Sequence, residues 1–171
     1  MYFENFQVRS YDYNFIKEFI AQRKQDCQVI MLPQRGEWAT ILFENPLVGE
    51  DIILELTLAL KTKALCLASD GELSWSFVLY ADGKIVDEFY NDPIAGFEPL
   101  DYDRRKLKDI YDTILSPNCT FDQFLEFLQK KTKLNKKNMD QFAAFFGLND
   151  VDVSYEQFYD RPEQLPGAVI F

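Results

Sequence analysis

The chain has 171 residues, 47% of them hydrophobic, with sixteen phenylalanines, nine tyrosines and a net charge of -10. So much aromatic area excludes a disordered chain despite the charge, and the length suits one domain around one core. The complete absence of histidine excludes Ser-His-Asp and Cys-His catalysis and histidine-containing zinc sites, leaving carboxylate, lysine, tyrosine, cysteine or a borrowed cofactor for any chemistry.

Cys27, Cys66 and Cys119 are odd in number and widely spaced, so neither a disulfide framework nor a Cys-x-x-Cys motif is available, and a reducing cytoplasm is expected. The first ten residues lack a basic start followed by an apolar block, and no run approaches the ~18 apolar residues of a membrane span; a soluble, unexported chain is expected. An acidic body repels nucleic acid and anionic membranes, and it favours cationic partners.

In chain order, residues 12–25 place Phe15, Ile16, Phe19 and Ile20 at helical spacing behind a capping Asp12. Residues 27–32 and 37–44 read as two strands about a Pro33-Gln34-Arg35-Gly36 turn, closed by Asn45-Pro46. Residues 49–61 fit a helix through Ile52, Ile53, Leu56 and Leu60, with Glu50 and Asp51 near its positive end.

Residues 63–91 carry the clearest signal. Asp70-Gly71 and Asp82-Gly83 each suit both positions of a type I′ turn, so the segment reads as a three-stranded antiparallel meander. Two-residue turns would set Tyr80 opposite Ile85, Val78 opposite Asp87, Phe77 opposite Glu88, Trp75 opposite Tyr90, Cys66 opposite Trp75 and Leu67 opposite Ser74. One face would then carry Ala64, Cys66, Ala68, Leu73, Trp75, Phe77, Leu79 and Val86 as core. The other, mixed and half wet, would carry Leu65, Leu67, Ser74, Ser76, Val78, Tyr80, Ile85, Asp87 and Phe89.

Beyond Pro93 and Pro99 the pattern turns helical. Residues 102–115 put Leu107, Ile110, Tyr111, Ile114 and Leu115 on one stripe, ended by Ser116-Pro117. Residues 120–131 open with the capping box Thr120…Gln123, residues 138–146 open with Asn138…Gln141 and stop at Gly147, residues 154–159 form a last helical turn, and residues 168–171 a short strand.

The stretch Leu79-Tyr80-Ala81-Asp82-Gly83-Lys84, then Asp87-Glu88-Phe89 and Asn91-Asp92-Pro93, resembles a set of bacterial proteins of unknown role. In these a Leu-Tyr-x-Asp-Gly turn precedes Asp-x-Tyr or Asp-x-Phe and a proline. Trp38, residues 49–61 and Phe146-Gly147-Leu148 fall in similar order, over about two thirds of the chain. The resemblance implies no activity and assigns no functional residue.

Asp87 and Glu88 are the first carboxylates to weigh for acid-base work, but alternation sends them to opposite sheet faces, where rim positions suffice. Asp150-x-Asp152-x-Ser154 echoes half of a calcium loop, yet Tyr155 and Arg161 replace its glycine and its bidentate glutamate, and Ser154…Gln157 reads more simply as a capping box. Lys130, Lys131, Lys133, Lys136 and Lys137 lack the arginines and aromatics of many nucleic-acid surfaces and read as a solvated helical junction. Cys66 reads as core.

Aromatics in excess of core needs remain: Tyr2, Phe3 and Phe6, then Tyr155, Phe158 and Tyr159, which either pack on the sheet or offer an interface. The expectation is a single α+β domain over residues 1–171: about five antiparallel strands around the 63–91 meander, one N-terminal helix, and a helical C-terminal half packed mainly on one face. The expected function is a non-catalytic cytoplasmic protein-binding module, a stoichiometric partner of a basic protein, with no cofactor, metal, nucleic acid or membrane. Interaction candidates are Tyr80, Asp87, Phe89, Tyr155, Phe158 and Tyr159. The alternatives are a carboxylate-based or metal-dependent enzyme using Asp101–Asp103 or Asp150–Asp152, and a homodimer formed through the second sheet face.

Overall fold

The strand β1 (Tyr2–Arg9) lies at the centre of an antiparallel sheet whose order is β6-β5-β4-β1-β3-β2-β7. The other strands are β2 (Val29–Met31), β3 (Trp38–Phe43), β4 (Lys63–Asp70), β5 (Trp75–Ala81), β6 (Lys84–Asn91) and β7 (Val169–Ile170). The structure, a computed structural model, describes residues 2–24, 26–70, 74–91, 103–130, 135–159 and 166–171. Among these the sheet has seven strands where about five were expected. The added central strand has an apolar pattern of broken parity: Phe3 shares a face with buried Asn5 and Gln7, while Phe6 and Val8 take the other.

The helices cover both faces, not mainly one. Helices α1 (Tyr13–Arg23) and α2 (Pro46–Leu60) bury Ile16, Phe19, Ile20, Ile52, Ile53 and Leu56 against Phe6, Val8, Ile41, Ala64, Cys66 and Tyr80. On the opposite face lie α3 (Lys108–Asp112), α4 (Phe121–Gln129) and α5 (Lys136–Phe146), whose Tyr111, Phe124, Phe142 and Phe146 pack on Leu65, Leu67, Trp75, Phe77, Leu79 and Phe89. The short α6 (Tyr155–Tyr159) sits on Ile30 and Leu42 of the same face. Because α1 and α2 need apolar strand residues of one parity and α3–α5 need the other, the inner strands of the sheet are buried on both sides, while β6 keeps Ile85, Glu88 and Tyr90 exposed.

Local signals explain the helix ends. Asp12 accepts from the Phe15 N–H as expected, and Asn45-Pro46, expected to close a strand unit, instead starts α2: Asn45 accepts from Leu47 N–H and Pro46 takes the first helical position. Thr120 and Gln123 form the expected capping box, whereas α5 is capped by Asn135, three residues before Asn138. The 102–115 segment divides into a 3₁₀ turn at Arg104–Leu107 and α3.

The meander exists, but its register is corrected twice. The Asp82-Gly83 turn holds two positive φ angles, 51° and 73°, and pairs Tyr80 with Ile85 as expected. A bulge then opens between Leu79 and Tyr80, so Leu79 faces Asp87, Val78 faces Glu88 and Phe77 faces Phe89. In the first hairpin Ser69 faces Trp75 and Cys66 faces Val78, a longer connection than two residues; the turn itself and Leu73 lie outside the described residues. This odd shift moves Leu65 and Leu67 onto the Trp75 face and Ala64 and Cys66 onto the Tyr80 face. The bulge likewise brings Asp87 and Phe89 into the Trp75 face, which had been expected to exclude them.

Candidate functional site

The bulge in β6 decides what Asp87 can do. Its side chain is fully enclosed, with both carboxylate oxygens within 3.0–3.1 Å of Arg104 Nε, and the Tyr111 hydroxyl donates to it from α3. Arg104 also donates to the Glu88 carbonyl. Burial pushes the Asp87 carboxyl up, against the Tyr111 hydrogen bond and the Arg104 charge, which pull it down. The same burial, beside the carboxylate, holds the Tyr111 phenol well above its ordinary value, so it stays a donor. A carboxylate sealed in this way fastens β6 to the first helical elements of the C-terminal half; it does not meet a substrate.

Sequence reasoning missed Arg104 and Tyr111 as Asp87's partners. The available signal was Tyr111 on an otherwise aliphatic stripe, because a buried phenol needs an acceptor. Asn5 and Gln7 were also missed. Asn5 Nδ2 donates to the carbonyls of Val151 and Val153 at 3.0 Å, Gln7 Nε2 donates to Asn5 Oδ1 at 3.0 Å, and Thr40 Oγ1 donates to Gln7 Oε1 at 3.0 Å. The network ties the loop before α6 to the central strand.

The remaining sequence candidates are interior or structural. Tyr80 and Phe89 are 2% and 3% exposed, and Tyr155 and Phe158 pack on β2 and β3, so the contact surface expected of them is not at the surface. Each was assigned outward by parity or by terminal position, and register and docking reverse that. The Tyr159 side chain lies outside the described residues. Asp150 pairs with Arg35 at 3.5 Å, and Ser154 N–H donates to Gln157 at 3.3 Å. Asp103 caps the 3₁₀ turn, and Asp101 is outside the described residues. Lys130 and Lys136 pair with Glu126 and Asp140 along their own helices; Lys131 and Lys133 are outside the description. Cys66 is buried with its thiol pushed well up by desolvation. Among the described residues no group of three or more Cys, Asp or Glu is placed to hold a metal, and no helix is long and apolar enough to cross a membrane.

A different surface emerges on α2. Its inner face buries Gly49, Ile52, Ile53, Leu56 and Thr57, yet Leu47 and Leu58, on the outer face, are 75% and 61% exposed. Leu47, Asp51, Leu54 and Leu58 follow 4-3-4 spacing, the repeat of a helix-pairing seam, with Glu50 and Glu55 flanking it. The β5–β6 turn abuts its end: a Cβ on Gly83 would lie 3.1 Å from the Leu58 Cβ, and Ile85, 43% exposed, follows directly. Glu88 and Tyr90 are exposed further along β6. From Leu47 to Leu58 the surface is a ridge about 16 Å long with an exposed leucine at each end and exposed Asp51 and half-buried Leu54 between them.

No family model, no curated protein and no solved structure matches this chain.

Proposed function

We propose that the protein is a non-catalytic cytoplasmic protein-binding module that holds a basic protein against the outer face of α2. The observation that carries this reading is the pair of exposed leucines Leu47 and Leu58 on one side of α2, with half-buried Leu54 and exposed Asp51 between them, flanked by Glu50 and by Glu55, which pairs with Arg23 at 2.9 Å. An amphipathic helix of the partner fits such a seam, its apolar side on the leucines and a lysine or arginine opposite Asp51. A second copy of this chain is disfavoured because it would set Asp51 and Glu50 near their own counterparts. The net charge of -10 adds long-range attraction for a cation-rich partner. Three free thiols, two of them buried, support the cytoplasmic assignment.

The test is affinity capture from the native cytoplasm with wild-type protein and with the Leu47→Asp/Leu58→Asp variant, at low and moderate salt. Both leucines are exposed, so the variant should unfold within about 0.5 kcal/mol of wild type. A basic protein retained by wild type, weakened by salt and lost in the variant is the expected result. Equal retention by the two proteins, or no salt-sensitive basic partner, overturns the reading.

A further inference from the structure

Where β1 leaves the sheet for α1 and α2 returns to β4, the two connections enclose an open groove of about 430 Å³. That volume lies in the range of small-molecule sites. Its walls include Arg9, Tyr11, Asp12, Lys61, Thr62 and Lys63, so a protein with a strong surplus of acid presents three cations around one concavity.

The local acids do not neutralise all three. Glu37 is spent on Arg9, whose Nε lies 2.8 Å from Oε2, and on the Tyr11 hydroxyl, which donates to Oε1 at 2.8 Å. These hydrogen bonds, from Tyr11 first and then Arg9, hold the Glu37 carboxyl below its ordinary value. Asp12 is turned to the helix, accepting from the Phe15 N–H at 2.9 Å. Among the described residues neither the Lys61 nor the Lys63 ammonium group has a hydrogen bond or ion pair, although Lys108, Lys130 and Lys136 each find a carboxylate on their own helix. Lys61 moreover occupies a left-handed position, φ 49°, where glycine is the usual helix terminator.

We infer that this groove binds a dianionic phosphate group, with the Lys61 and Lys63 ammonium groups supplying the charge. Lysine binds phosphate as a compact point charge, and two of them match the two charges of a phosphate above its second pKa of about 6. Leu60 adds an apolar wall for the organic part of a phosphate monoester. This site is separate from the Leu47–Leu58 seam, and its test requires no protein partner, so either proposal can fail alone.

The experiment follows backbone amide shifts of the full chain during titration with inorganic phosphate and, in a second arm, glucose 6-phosphate, at constant ionic strength and slightly alkaline pH. Saturable shifts confined to residues 9–12 and 60–63 are expected. They should weaken by about tenfold or more in Lys61→Asn/Lys63→Gln, in which asparagine keeps the left-handed backbone and the fold. Tighter binding of the sugar phosphate identifies a monoester as the ligand, and equal binding identifies free phosphate. Absence of saturable shifts with both probes, or shifts undiminished in the double variant, overturns the inference.

Discussion

Asp87 is a residue whose role depends on a single displaced neighbour. Without the bulge it would alternate onto the other face of the sheet; with it, the carboxylate sits enclosed between Arg104 and the Tyr111 hydroxyl. Removing that hydroxyl in Tyr111→Phe should cost about 2 kcal/mol at neutral pH, since the bond runs to a buried charged group. The pH dependence has a definite sign. Burial raises the folded carboxyl above its ordinary value, so as pH rises from the unfolded group's range through the folded one's, the folded state holds the proton longer and stability falls. The lost hydroxyl favoured the ionised form, so the variant should lose less at pH 4 than at pH 7. Urea unfolding at both pH values measures this; an equal loss at pH 4 and pH 7 would show that the hydroxyl serves packing alone. In the sequence Asp87 was visible as a carboxylate among apolar residues, but its partners, seventeen and twenty-four residues on, were not, because no local pattern couples a strand parity to a later helix.

At the scale of elements, α2 carries opposed effects at Gly49. Alanine would gain up to about 1 kcal/mol of helix propensity, but its Cβ would lie 2.6 Å from the Phe43 ring, which Phe6 holds edge-on at a centroid distance of 5.3 Å. Overpacking of this kind costs about 1–3 kcal/mol, so Gly49→Ala should lower the urea midpoint, corresponding to a net loss of about 1 kcal/mol. A raised midpoint would mean that Phe43 yields freely. Capping residues made α1 and α4 readable with close boundaries, as Asp12 and the Thr120…Gln123 box act within one turn of chain. β1 escaped notice because its interior positions include Asn5 and Gln7, whose burial is satisfied by Thr40 and by carbonyls of residues 149–153. Polar side chains in a strand read as solvent-facing until the loop that accepts their hydrogen bonds is in place.

For the whole molecule, the two helical layers share one sheet, and alternate residues of β1, β3, β4 and β5 feed opposite cores. Unfolding should therefore be a single transition, with far-UV circular dichroism and tryptophan fluorescence coinciding. Both tryptophans, Trp38 and Trp75, lie in the core under α3–α5. Ile53→Ala, on the α1–α2 side, should still shift the fluorescence transition by about 2–5 kcal/mol, as Phe142→Ala should by about 3–5 kcal/mol on the tryptophan side. A fluorescence transition unmoved by Ile53→Ala would reveal two independent units. What the sequence by itself determined was the α+β class, the Asp82-Gly83 hairpin, and the helices marked by caps and apolar stripes, because turn geometry and helical periodicity act over a few residues. Only the tertiary structure decided the central place of β1, the face to which Asp87, Phe89 and Tyr80 turn, and the outward seam of α2. Each depends on a one-residue register or a contact between distant segments, and a period of two reverses every side chain when the register moves by one.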